Sequence, residues 1–543
     1  MSWGEGRPEL GIQGPVVAWQ DPWAGDASDA IMRTGTGRLV ASQDPAPSPQ
    51  DFVGLLGELG ADFYVHHVMP GLDGHDQMVE DLAGASIDVV LGNEYGNING
   101  PWVEGTNRFD IPTSAIASAS ARGILAGVLY DEPEHLQINA GQYRHDGWYP
   151  HFADTAGADL AAAGSAVAAS VRDVVADAQA AAAAPLTVAA EHVFPTMFHT
   201  LARGGMAPTP KMMKESFHPV QMAMAMGAAL QYDRPLWVCA DLWGPDIGPW
   251  FTRAPGFPGH SPEEFATALR MAYLLAPDKL FVENIDVLAR FGGDSFVLTE
   301  FGDVWSEFVR SFVPTAGVDW SFRDATPNVA LIHADDSDFG RGVQAFGDRD
   351  ARAPEQASSV FDAWRVLTHA TTPPHGISLH IDGYRFPRVE LDGVARDQFP
   401  LTHGAPAPTH VHEPFQPAHN VLVYDEMVSD ARLPDAPVIV VVGSRLPDAT
   451  RDMLVRRAER GATVVIGDWL AAGIASGRKG EGVWIATERV GADDAMEVLA
   501  PHLGSADEWT QRFGDVEVVF VRSESAPAGV EISVRRPVAP VRR

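Results

Sequence analysis

One cysteine, Cys239, is all that the 543 residues provide, which excludes an intrachain disulfide and any multi-cysteine metal site. It lies in the apolar run Leu236-Trp237-Val238-Cys239-Ala240 and reads as a buried, inert thiol. Basic residues are also scarce, with 39 Lys and Arg against 72 Asp and Glu and a formal net charge of −33. A surface that negative repels phosphate backbones and anionic headgroups, so neither nucleic acid nor a membrane is expected as a partner. The N-terminal stretch lacks the basic and apolar regions of a signal peptide, which points to a cytoplasmic protein. Long uncharged apolar runs are missing as well. The alanine-rich stretch 159–185 carries Asp159, Arg172, Asp173 and Asp177, and it reads as a soluble helix. What remains is ordinary globular composition, 45% hydrophobic and 20% charged, with enough apolar surface for a large core.

From about residue 15 to residue 310, short β-branched runs alternate with longer helical stretches, the rhythm of a parallel sheet covered by helices. Strands are expected over 15–19, 62–67, 87–92, 124–130, 186–191, 235–240 and 279–283, with a weak eighth at 295–299. Eight such units predict a closed (β/α)8 barrel over residues 1–318. A second alternating block, 319–475, has strands expected at 328–333, 419–424, 437–443 and 462–468, and it predicts an open flavodoxin-like α/β domain. Residues 476–543, with short strands at 482–487 and 516–521, read as a small β-rich domain.

Barrel enzymes carry their chemistry at the C-terminal ends of the strands. In the expected numbering strand two ends in His66-His67, strand three in Asn93-Glu94 and strand four in Asp131-Glu132. Strand five ends in Glu191-His192, strand six in Asp241, and strand seven in Glu283-Asn284. So many charges converging on one mouth are costly unless they serve a function. Two carboxylates across a barrel mouth meet the minimum for glycoside hydrolysis. Glu132, stopped by Pro133, is assigned as general acid/base, and Glu283, with Asn284 as a hydrogen-bonding neighbour, as nucleophile. Flat aromatic faces suit sugar rings, and Trp19, Trp23, Trp102, Trp148, Trp243 and Trp250 fall in or near expected strand exits. Trp243 and Trp250 are the better candidates, while Trp3, Trp237 and Trp305 read as core. His66, His67, Asn93, Glu94, His192 and Asp241 are assigned to sugar hydroxyls, and Asp131, Glu191, Trp243, Trp250 and Asn284 also to substrate binding.

These residues resemble a retaining glycoside hydrolase of the large (β/α)8 superfamily, with the acid/base on strand four and the nucleophile on strand seven. The three-part layout is similar to that of family 42 β-galactosidases, and the stretch 436–443, followed by a helix and 462–466, resembles their amidotransferase-like middle domain. The resemblance implies an oligomer, a trimer around the middle domain, and no cofactor. Two departures stand out: Asp131 replaces the family's Asn before the acid/base, and the zinc-binding cysteines of some members are missing.

The Asp131-Glu132 pair is also similar to that of substrate-assisted N-acetylhexosaminidases, in which Glu283 would only bind substrate. A metal-dependent sugar isomerase or epimerase is a third reading, since Glu191, Asp241, Glu283 and a histidine offer hard ligands. His410, His412 and His419 read as ordinary loop histidines, and no metal site is assigned. The expected partner is a short carbohydrate, cleaved from its end.

Overall fold

In a computed structural model, eight short runs pair in parallel and close on themselves: β1 (Glu9–Gln13), β2 (Phe63–His67), β3 (Asp88–Gly92), β4 (Leu125–Tyr130), β5 (Val188–His192), β6 (Ala207–Met212), β7 (Trp237–Ala240) and β8 (Lys279–Val282). β8 returns to β1 through the register Leu10↔Leu280 and Ile12↔Val282, which seals the barrel. The structure describes residues 7–15, 19, 21–23, 46–68, 72–93, 111–138, 152–213, 218–242, 262–337, 346–347, 354–372, 390–391, 394–395 and 415–536.

Side chains alternate along each strand, so every second residue enters the barrel. The interior cluster is Phe63, Val65, Val90, Leu129, Ala189, Ala207, Trp237, Cys239 and Phe281. The large rings at its base need room, and two glycines provide it. A Cβ on Gly11 would overlap the Phe63 ring, and one on Gly127 would lie 2.4 Å from Trp237. Lys279, ion-paired with Glu9, caps the base from 4.7 Å above the Phe63 ring. Helices clothe the outside, including Pro49–Glu58, capped by Ser48, and Leu160–Ala181, capped by Asp159.

Three strand expectations change. The first barrel strand is Glu9–Gln13, ahead of 15–19. Residues 296–298 lie outside the barrel, in a hairpin with Ala289–Phe291. The expectation omits β6, whose sequence Ala207-Pro208-Thr209-Pro210-Lys211-Met212 carries two prolines. Prolines two apart remove donors along one edge only. The pairing with β5 runs over four residues, whereas that with β7 is confined to Lys211 and Met212. Counting therefore shifts: Asp241 closes the seventh strand, and Glu283 the eighth.

The open sheet runs Val421–Asp425, Val329–His333, Val438–Val441, Thr463–Gly467, Gly482–Thr487 and Gly477–Lys479, parallel except for the last. Its first four strands follow the flavodoxin-like order. Gly482–Thr487, expected in the last domain, belongs to this sheet instead. The last sheet is antiparallel over Glu508–Phe513, Val516–Arg522 and Val530–Arg535, with Ala325–Thr326 and Ala418–His419 added at Glu508–Phe513. The open sheet packs on barrel helix His218–Tyr232. Gly227 lies so close to the Val423 backbone that a Cβ could not fit, and Gln231 accepts a 2.9 Å hydrogen bond from Asp425 N–H. Among the described residues no helix is long and apolar enough to cross a membrane.

Candidate active site

The alternation that fills the barrel also builds its mouth. Two residues beyond Leu129 comes Asp131, two beyond Ala189 comes Glu191, two beyond Cys239 comes Asp241, and two beyond Phe281 comes Glu283. Along β6 the inward residues are Ala207, Thr209 and Lys211. One further step past the apolar layer places these four carboxylates at the mouth, and two steps past Ala207 bring in the Lys211 ammonium.

Glu132 should face outward by this rule, because its neighbour Asp131 faces in. Its backbone has φ +45°, a left-handed turn that few non-glycine residues adopt, with Pro133 next. The turn brings Glu132 into the mouth beside Asp131.

Lys211 is the hub. Its Nζ lies 2.9 Å from Asp131, 3.1 Å from Glu132, 3.4 Å from Glu283, 3.7 Å from Asp241 and 3.9 Å from Glu191. Burial alone would lower the amine, but Asp131, Glu191, Glu283 and Glu132 overcome this and hold it well above its ordinary range. Burial drives Glu191 well above the usual carboxylate range, against the pull of Lys211. The Cys239 thiol is likewise pushed up by burial and is inert. Glu191 and Asp241 are fully buried and form the floor, whereas Glu132 and Glu283 keep 7% and 4% exposure and face the opening. Both touch one ammonium, so their nearest oxygens are separated by no more than the two contact distances together.

Asn93 supports the cluster from β3. Its Oδ1 accepts the Asp131 backbone N–H at 2.8 Å. His67 faces inward, 3.0 Å from Gln13, and burial pushes it down to about 3, so it is neutral. His66 and His192 point the other way, into the layer between strands and helices. His66 lies 3.3 Å from Asp21 and packs against Trp23 and His75. His192 stacks on Phe198 at 3.8 Å, and burial lowers it to about 3. Its 3.8 Å approach to Glu134 is therefore not an ion pair. Asn284 is buried with φ +71°, and neither polar atom of its side chain has a hydrogen-bond partner among the described residues. It does not hold Glu283. Trp19 and Trp23 are core residues rather than sugar platforms, packed edge-on to Phe52 and donating to Ala289 O and Asp81. Glu94, Trp102, Trp148, Trp243, Trp250, His410 and His412 lie outside the described residues.

Lys211 is absent from the expected site because the prolines disguised its strand. The signal was the alternation Ala207, Thr209, Lys211 between two recognised barrel strands.

The sequence matches no protein-family profile and no curated protein. In fold, the chain is similar to the β-galactosidase from Bacillus circulans sp. alkalophilus, with a TM-score of 0.50 and 8% identity over 95% of this chain and 93% of that one. It is equally similar to a catalytic mutant of Gan42B, a GH42 β-galactosidase from G. stearothermophilus, with a TM-score of 0.50 and 8% identity over 97% and 98%. The chain is thus a (β/α)8-barrel protein with further sheet domains, and the likeness spans nearly its whole length.

Proposed function

We propose that this protein is a glycoside hydrolase that removes sugars from the ends of short oligosaccharides or glycosides with retention of configuration. The observation that carries the reading is the pair Glu132 and Glu283, set on opposite strands of the barrel mouth and reaching one lysine from both sides. Retaining pairs stand about 5–5.5 Å apart, closer than the spacing an inverting enzyme needs for its water. The shared contact with Lys211 favours the closer arrangement. Glu132 protonates the glycosidic oxygen as Glu283 attacks the anomeric carbon, and the aglycone leaves. Water then attacks the glycosyl-enzyme, giving its proton to Glu132 and releasing Glu283. Asp241 closes the seventh strand, the position of the nucleophile in the superfamily this chain resembles, but it is fully buried whereas Glu283 keeps some exposure, and this favours Glu283. The fold shared with two β-galactosidases supports the same class of reaction. A small exposure at the carboxylates suits a pocket that admits a chain end.

A second reading, substrate-assisted cleavage of N-acetylated sugars, is favoured by the joint contact of Asp131 and Glu132 with Lys211. For a metal-dependent isomerase, the Lys211 ammonium stands where the cation would have to bind between the carboxylates.

A panel of aryl α- and β-glycosides, N-acetylated sugars included, tests these readings on wild type, Glu132→Ala, Glu283→Ala and Asp241→Asn. Loss of activity in Glu283→Ala, with azide rescue giving an inverted glycosyl azide, is the expected result. Full activity of Glu283→Ala on acetamido sugars alone would move the assignment to the substrate-assisted mechanism. Azide rescue of Asp241→Asn instead would make Asp241 the nucleophile.

A further inference from the structure

Away from the barrel mouth, the open sheet meets the barrel at three buried groups. His333 ends the strand Val329–His333, Asp335 follows two residues later, and His199 lies on the barrel helix Phe198–Gly204. One ligand atom from each, taken together, falls within 4.8 Å of the other two, and all three residues are buried.

The hydrogen bonds show which atoms are committed. His199 Nε2 lies 3.0 Å from Val423 O, so it donates its proton there, leaving the Nδ1 lone pair. Among the described residues, His199 Nδ1 and both ring nitrogens of His333 have no hydrogen-bond partner. Buried nitrogens without partners are rare, because each costs the loss of its hydration. Asp335 is buried as well, and it accepts the backbone N–H groups of Met197 and Thr200. Its two oxygens each accept one of those N–H bonds, at 2.8 and 2.9 Å, and each retains a second lone pair. These bonds fix the carboxylate in orientation, as outer contacts fix the ligands of metal centres.

We propose that His199, His333 and Asp335 bind one divalent transition-metal ion, of the zinc class, that ties the open sheet to the barrel. Two imidazoles and one carboxylate are the donor set such ions prefer, with water in the remaining position. A dication there neutralises the Asp335 charge and occupies the free lone pairs of both rings. The site is built from two domains, so binding couples to their docking. It is independent of the glycosidase assignment, because none of the three residues reaches the barrel mouth cluster.

The test uses the full-length protein, stripped with EDTA and titrated with Zn2+ and with Co2+. The expected result is one equivalent per chain, a visible Co2+ absorption band, and a Tm that rises with metal. His333→Gln and His199→Gln should each weaken binding by about tenfold or more, while their metal-free Tm stays near that of the stripped wild type. Absence of stoichiometric binding to wild type overturns the site, as does unchanged affinity in both variants. If a variant fails to fold, the wild-type stoichiometry and Co2+ spectrum decide alone. Glycoside hydrolysis, measured in parallel, reports on the mouth separately.

Discussion

Glu132 meets Lys211 at 3.1 Å only because its own backbone turns left-handed, at φ +45°. Strand alternation would have sent it into the helix layer, as it sends His192 after Glu191. The reach of this carboxylate into the barrel rests on one strained residue and on a lysine two strands away.

Replacing that lysine should be severe. Lys211→Met leaves five carboxylates without their shared cation, and removing one partner of a buried ion pair costs about 3–5 kcal/mol. The pKa of Lys211 is raised on folding, so its contribution is complete below the ordinary amine value of 10.5 and fades only as pH climbs through the higher folded value. The Tm deficit of Lys211→Met should therefore be large and level from pH 6 to 9, and should shrink in acid as the carboxylates take up protons. Thermal scans across pH measure it; a variant as stable as wild type at pH 7 would contradict the hub role.

Glu134 carries a second pH signature. Burial, with the charge of Glu132, raises it from 4.5 to about 8, although it accepts the N–H groups of Val193 and Phe194 at 2.6 and 3.1 Å. Between pH 4.5 and 8 the unfolded chain has lost this proton while the folded protein keeps it, so stability falls as pH rises through that window. Glu134→Gln keeps an acceptor for both N–H groups and has no proton to lose. Its Tm should match wild type near pH 5 and exceed it at pH 9, and a constant offset across the range would rule the account out.

Asn93 is the site residue whose loss should separate activity from stability. Asn93→Ala removes the acceptor for the Asp131 N–H, a buried group whose orphaning costs about 1–3 kcal/mol. Hydrolysis should drop by more than tenfold in kcat/KM while the protein still unfolds cooperatively; an unchanged kcat/KM would remove Asn93 from the site's support.

At the opposite end of the barrel, Gly127→Val should destabilise without touching the chemistry. The new Cβ would lie 2.4 Å from Trp237, and overpacking of this kind costs about 1–3 kcal/mol. Denaturant titration should show a lower midpoint, with residual enzyme keeping its KM. A neutral effect on the midpoint would mean that Trp237 has room to move.

What the sequence by itself determined was the local rhythm: the alanine-rich helix Leu160–Ala181, most barrel strands, the flavodoxin-like block, and the strand-end carboxylates Asp131, Glu132, Glu191, Asp241 and Glu283. These follow from periodicity and caps within a few residues of each position. β6 stayed hidden because its prolines carry a local breaker signal, which the closed sheet overrides by taking its hydrogen bonds on the other edge. Only the tertiary structure decided which strand-end residues turn inward. Barrel closure sets the side to which each register points, bringing Lys211 in among the carboxylates and taking His66 and His192 out to the helix layer. The meeting of His199 with His333 and Asp335 was equally illegible, since more than a hundred residues of chain separate partners that only domain docking brings together. Short-range pattern records what each segment can become; charges from distant strands find one another only when the backbone closes around them.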